Sequence, residues 1–211
     1  MSAPFEATAR AQVVDVARSI FTRGLTHGRT GNVSLRIGDR ILVTPTGSSL
    51  GTVAPEDLSV IGRCGEHLDG PSPSKEAFLH AAMLRARPDA TAVVHTHSTY
   101  SAAVSCLAGL DPASALPPLT AYFVMRVGTL PLLAYHAPGD ATLEPLAEAT
   151  ARNHHAILLR NHGPVVAGPN LSAALDALEE LEQTAKLFLL LRGRATQPLG
   201  PVEVQELQTI S

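Results

Sequence analysis

Apolar residues at Val13, Val14, Ala17, Ile20 and Phe21 recur at helical spacing, and Gly24 after Arg23 supplies a stop. The period then changes. Val33, Leu35 and Ile37 alternate with polar neighbours, Gly38-Asp39 reads as a hairpin turn, and Ile41-Leu42-Val43 returns as its second strand. Residues 52–70 read as a connector with one short helical turn at 55–58. Ser72 before Pro73 has the form of an N-cap followed by proline at the first helical position, so a helix is predicted from there to Arg87-Pro88. The run Thr91-Ala92-Val93-Val94 is small and β-branched, as a buried strand requires.

The second half continues in the same manner. A helix is predicted over residues 99–107, a strand over 130–135, a turn at Pro138-Gly139-Asp140 and a helix over 143–151. Strands follow at 156–160 and 164–167. Asn170 is placed to cap a long helix whose buried side carries Leu171, Leu175, Leu178, Ala185 and Phe188. The tail from Thr196 contains proline and glycine and is expected to be peripheral. With no internal repeat, the pattern implies one domain over 1–211, with a core at about 8–194.

Composition narrows the class. Apolar residues make up 45% and charged residues 17% of 211, enough to bury one full core and too apolar for a disordered chain. A net charge of −3 without a basic run points away from nucleic acid as a partner. Met1–Glu6 shows no basic segment leading into an apolar one, no apolar run is long enough to span a bilayer, and Cys64 and Cys106 form no CxxC pair. The expectation is a cytoplasmic protein with no membrane partner.

The chemistry begins where the buried strand ends. His95 and His97 stand i, i+2, so on an extended chain both rings project to one side: half of a metal site, or two packed rings. His162 stands beside Gly163 at another strand end. The loop Thr44-Pro45-Thr46-Gly47-Ser48-Ser49 offers hydroxyls and close backbone approach, which suits a phosphate and equally an ordinary turn. Glu76 falls in the first turn of the predicted helix, where a carboxylate is stabilised with or without a chemical role. Tyr122 and Arg126 stand i, i+4 and would share a helix face. Lys75 and Arg126 are either cations for a substrate carboxylate or solvated surface charges.

Taken in order, Gly31-Asn32-Val33-Ser34, Thr44-Pro45-Thr46-Gly47, Ser74-Lys75-Glu76, His95-Thr96-His97 and Asn161-His162-Gly163 resemble the motifs of the class II aldolase/adducin-head family. The resemblance spans about residues 8–194. It implies an α/β fold, a central and mainly antiparallel sheet flanked by helices. It further implies Zn²⁺ (or Mn²⁺ or Co²⁺) on His95, His97 and His162, with Glu76 as fourth ligand and acid/base. Asn32, Thr46, Gly47 and Ser74 would hold a substrate phosphate, with Ser72 beside them, and Lys75 and Arg126 would face the rest of the substrate. Tyr122 would act in a neighbouring subunit's site within a homotetramer.

The segments Ser72–His80, Leu116–Tyr122 and Glu179–Glu182 are similar to the sugar-acid branch, the 3-oxo-tetronate 4-phosphate decarboxylases. That branch implies a carboxy-lyase forming dihydroxyacetone phosphate and CO₂ through an enediolate. A phosphorylated-ketose aldolase of the fuculose-phosphate type is the alternative, although residues 196–211 hold no tyrosine of the kind those aldolases use. A non-catalytic module, as in the adducin branch, is the reading from a different class.

Overall fold

The computed structural model describes residues 3–210. Met1 and Ser2, on which part of the leader reading rests, and Ser211, which the 1–211 domain span includes, lie outside the described residues. The chain opens with helix α1 (Ala3–Thr22), then the hairpin β1 (Asn32–Ile37) and β2 (Arg40–Val43), β3 (Ser59–Gly62) and β4 (His67–Asp69). Helix α2 (Ala77–Ala86) leads to β5 (Ala92–His95), followed by the short helices α3 (Thr99–Ser105) and α4 (Ala121–Arg126). Then come β6 (Leu132–Leu133), α5 (Glu144–Ala151), β7 (Ala156–Leu159), β8 (Pro164–Gly168), the long α6 (Leu171–Leu190) and α7 (Pro201–Ile210). The strands form one sheet in the order β4-β3-β2-β1-β5-β8-β7-β6, antiparallel throughout except for the β6–β7 pair.

Strand alternation sorts the core into two layers. Val33, Leu35 and Ile37 of β1, Ala92 and Val94 of β5 and Val166 of β8 face α1 and α6, whose Val13, Ala17, Ile20, Leu178 and Leu181 cover them. Val93, Ile157, Val165 and Ala167 face the other way, toward α2 and α5. By the same parity Asn32 and Ser34 of β1 and His95 of β5 belong to the α2 side, and register pairs Asn32 directly with His95. The polar exceptions of two central strands therefore meet under one helix.

Some elements differ from the sequence reading. Residues 52–70 are not merely a connector: besides the 3₁₀ turn at Pro55–Asp57 they hold β3 and β4. The helix expected from Ser72 begins only at Ala77, because Pro73 bridges to Pro45 in an antiparallel pairing flanked by Thr46 N–H to Ser72 O (3.0 Å) and Ser74 N–H to Thr44 O (3.3 Å). A chain so paired is extended and cannot be a helical turn. Consequently Ser72 is no cap, and Glu76 precedes the helix instead of lying in its first turn. The strand at 130–135 shrinks to two residues. The tail is peripheral as expected but helical, with no buried residue in α7. Asn170 does cap α6, accepting from Ala173 N–H at 2.8 Å. Phe21 lies at the edge of the buried stripe of α1 and is 38% exposed.

Candidate active site

His95 ends β5 and is fully buried. Its Nδ1–H donates to the Pro164 carbonyl (2.8 Å), which leaves Nε2 as the ring's free lone pair. His97 follows where the strand has stopped and Thr96 N–H reaches across to Pro164 O (3.3 Å). His162 sits in the turn between β7 and β8. That turn approaches the histidine strand so closely that a Cβ on Gly163 would stand 2.1 Å from Thr96 O. Only glycine fits there. Asn161 takes φ 55°, a left-handed value that asparagine tolerates.

Helix α3 braces both histidine segments. At its start Tyr100 N–H and Ser101 N–H each donate to the buried carboxylate of Glu182 (2.8 Å both), and the Ser101 hydroxyl donates to it at 2.6 Å. At its end Ser105 Oγ accepts His162 N–H (3.2 Å), and its carbonyl accepts Asn161 N–H (3.2 Å). The three imidazoles converge with ring centroids 4.5–5.1 Å apart. Glu76 completes the cluster: Oε2 is 3.3 Å from His95 Nε2 and Oε1 is 3.4 Å from His162 Nε2.

This cluster fits a metal. His95 Nε2 is buried and has no hydrogen-bond partner, although it lies within charge-attraction range of Glu76. His97 Nε2 and His162 Nε2 face each other at 2.9 Å. The four ligand atoms all lie within 4.8 Å of one another. Tetrahedral Zn²⁺ with bonds of about 2.0–2.1 Å separates its ligand atoms by about 3.3–3.4 Å, close to the glutamate–histidine spacings seen here.

Charge follows from the same crowding. Burial alone would raise the Glu76 carboxyl, but His95, His162 and the Asn32 amide outweigh it and hold the group well below the usual carboxylate range. Burial would lower His95, and Glu76 reverses that so the ring is shifted up. Burial and the His95 charge push His97 down to about 3 and His162 down to about 4.

A cleft of about 160 Å³ opens above the cluster, walled by Arg29 to Asn32, by Pro45 to Ser48, by Ser74, Lys75 and Glu76, and by His97, Pro138 and His162. Larger clefts lie elsewhere, such as the one of about 750 Å³ between α1, β1 and α6, but its walls are mainly apolar. The Pro45–Pro73 pairing sets Thr46 and Gly47 opposite Ser74, so the expected phosphate residues do meet. The Thr46 hydroxyl and Gly47 N–H have no partner among the described residues. Asn32 lines the same cleft, and its amide hydrogens are engaged within it, one on Ser74 Oγ (3.0 Å) and one on Glu76 Oε2 (3.1 Å).

Other expected residues stand apart. Arg126 does not line this cleft in its own chain: it pairs with Asp176 at 3.1 Å and walls a different cleft with Arg87 and His155. The i, i+4 spacing correctly placed it on a helix with Tyr122 but could not say which way the helix faces. Tyr122 is 61% exposed and also absent from the cleft wall. Lys75 is on the wall, exposed and without an ion pair among the described residues, and so is Arg29, which sequence reasoning missed. It missed Ser34 and His80 as well. Ser34 stands two residues after Asn32 on a strand and His80 four after Glu76, one turn along α2, so the spacings that found the other groups pointed to these too.

The family model described as class II aldolase and adducin N-terminal domain matches residues 11–189. The chain is 48% identical to the 3-oxo-tetronate 4-phosphate decarboxylase of Pectobacterium atrosepticum, over 96% of this chain and 93% of that one. It is 32% identical to the L-fuculose phosphate aldolase of Escherichia coli K12, over 94% of this chain and 90% of that one. The crystal structure of YgbL from Escherichia coli superposes with a TM-score of 0.93 at 43% identity, covering 97% of this chain and 99% of the other.

Proposed function

The chain belongs to the class II aldolase and adducin N-terminal domain family, and from that premise we propose that it is a metal-dependent carbon–carbon lyase converting a 3-oxo-tetronate 4-phosphate to dihydroxyacetone phosphate and CO₂. The observation that carries this reading is the convergence of three histidines and Glu76 with an unpartnered hydroxyl and amide in one cleft of a chain so similar to the decarboxylases. Bound by His95, His97, His162 and Glu76, a divalent ion, Zn²⁺ or otherwise Mn²⁺ or Co²⁺, would supply Lewis-acid stabilisation of an enediolate.

The chain's own groups do the rest. Thr46 Oγ–H, Gly47 N–H and the Ser74 hydroxyl hold the phosphate, and Lys75 and Arg29 take the carboxylate, Arg29 filling the place expected for Arg126. Remote binding of this kind supplies energy for positioning at the reacting carbons. The C1–C2 bond breaks, its electron pair enters the C2–C3 enediolate, and one proton must then reach C2. Glu76 carries that proton. Displaced from its ligand position by the substrate, it takes one proton from solvent and passes it to C2, which balances the loss of CO₂ from the carboxylate.

The site works within a cytoplasmic homotetramer in which the exposed Tyr122 serves an adjoining subunit. The second reading is cleavage of a phosphorylated ketose, favoured by the likeness to L-fuculose phosphate aldolase. A non-catalytic module is disfavoured by the complete donor set. Metal analysis with turnover of 3-oxo-tetronate 4-phosphate separates the three: metal and CO₂ release support the decarboxylase, metal with ketose cleavage alone the aldolase, neither the module. Arg29→Gln should raise KM about tenfold for the acid substrate and leave metal content intact. An unchanged KM would remove Arg29 from the carboxylate site.

A further inference from the structure

Beneath the cleft lies a buried polar chain that the proposed reaction does not use. His80 is completely buried on α2. Its Nε2 lies against Asn32 Oδ1 in a short contact, and its Nδ1 is 2.7 Å from Ser34 Oγ. Asn32 in turn donates to Ser74 Oγ and Glu76 Oε2. The directions of these bonds follow from what each group can do. Glu76 is held as a carboxylate and only accepts, so the amide NH₂ of Asn32 must face it, and the opposite flip would set two acceptors together. That leaves Oδ1 facing His80, so Nε2 carries the ring proton. Nδ1 of the neutral ring then accepts the Ser34 hydroxyl.

We propose that Ser34 and His80 are a positioning pair that locks the Asn32 amide and, through it, ties the acid/base Glu76 to the phosphate-binding hydroxyl of Ser74. The inference rests on the proposed roles of Glu76 and Ser74. Ser74 Oγ accepts from Asn32 Nδ2 and also from Glu76 N–H at 3.2 Å. With both lone pairs engaged, its one hydrogen is left to donate into the cleft, as an anion requires. A single amide thus orients the metal-facing carboxylate and polarises the phosphate donor, so the two halves of the site are set together.

The test compares wild type with His80→Leu, which fills the space without a donor, His80→Gln, which restores one, and Ser34→Ala. Zinc affinity of the metal-free protein is measured against a competing chelator, and kcat and KM are measured separately. Partners one shell beyond the ligands typically change metal affinity or activity by about 10–100-fold. His80→Leu is expected to weaken zinc binding about tenfold and to lower kcat/KM for the phosphorylated acid about 10–100-fold. His80→Gln should recover most of both, and Ser34→Ala should fall between with its melting temperature little changed. Adding His80→Leu to Asn32→Ala should produce no further loss, because the pair acts only through that amide. Multiplying losses in the double variant, or a lowered melting temperature with zinc affinity and kcat/KM unchanged in every variant, would overturn the proposal. Absence of decarboxylation by wild type would instead refute the assigned reaction, while the zinc measurements would still judge the positioning pair.

Discussion

His80 and His95 are both fully buried, yet their neighbours push them in opposite directions. Burial and the His95 charge lower His80 to about 3, whereas the Glu76 carboxylate raises His95. A histidine with a lowered folded pKa takes up fewer protons than its unfolded counterpart between pH 6.5 and about 3, so its contribution to stability is lost as pH falls through that window. His80 should therefore cost the metal-free protein about 2 kcal/mol between pH 7 and pH 5, at roughly 1.4 kcal/mol per unit below its unfolded value. His97 and His162 act in the same sense and His95 against it. Denaturant unfolding of metal-free wild type and His80→Leu at both pH values isolates the term: the variant should lose less stability on acidification. Equal losses would show that His80 is not held neutral in the fold.

Among the elements, α3 matters beyond its length because it starts two residues after His97, where α6 holds it, and ends hydrogen-bonded to the His162 turn. Glu182 holds its first turn through three hydrogen bonds, and Ser105 holds the His162 turn. Replacing Glu182 with alanine strands those buried donors, which should destabilise the fold by about 2–4 kcal/mol and weaken metal binding through His97. Chemical unfolding and zinc titration check this, and full metal affinity in the variant would mean α3 does not transmit the change. Legibility varied with how local the signal was. The β1–β2 hairpin was readable because Val33, Leu35 and Ile37 alternate and Gly38 takes φ 63° at the turn. The β3–β4 pair was not, because its strands are short and β4 is exposed throughout. Ser72-Pro73 has the composition of a helix start, and only the distant Pro45 makes it extended. His95 and His97 were legible by spacing as half a candidate metal site and the full ligand set only through the family motifs, whereas tertiary geometry alone puts Arg29 on the cleft wall and Arg126 on another cleft of its own chain.

At the scale of the whole molecule, Tyr122 on α4 is one of several large side chains exposed on the single chain. If the protein is the proposed tetramer and a neighbouring subunit's site receives it, Tyr122→Phe should lower kcat about tenfold or more, with the mass by light scattering and the metal content the same as in wild type. A fully active monomer would place Tyr122 outside the reaction. The central claim, decarboxylation to an enediolate that Glu76 helps protonate, is tested most directly by running the metal-loaded enzyme on 3-oxo-tetronate 4-phosphate in D₂O. CO₂ and dihydroxyacetone phosphate are expected in equal amounts, the product carrying one deuterium stereospecifically on the carbon that lost CO₂. Glu76→Gln should retain metal and be slower by about 10²–10⁴. Metal-loaded wild type that released no CO₂, or a Glu76→Gln variant that turned over and delivered deuterium at the wild-type rate, would contradict the assignment.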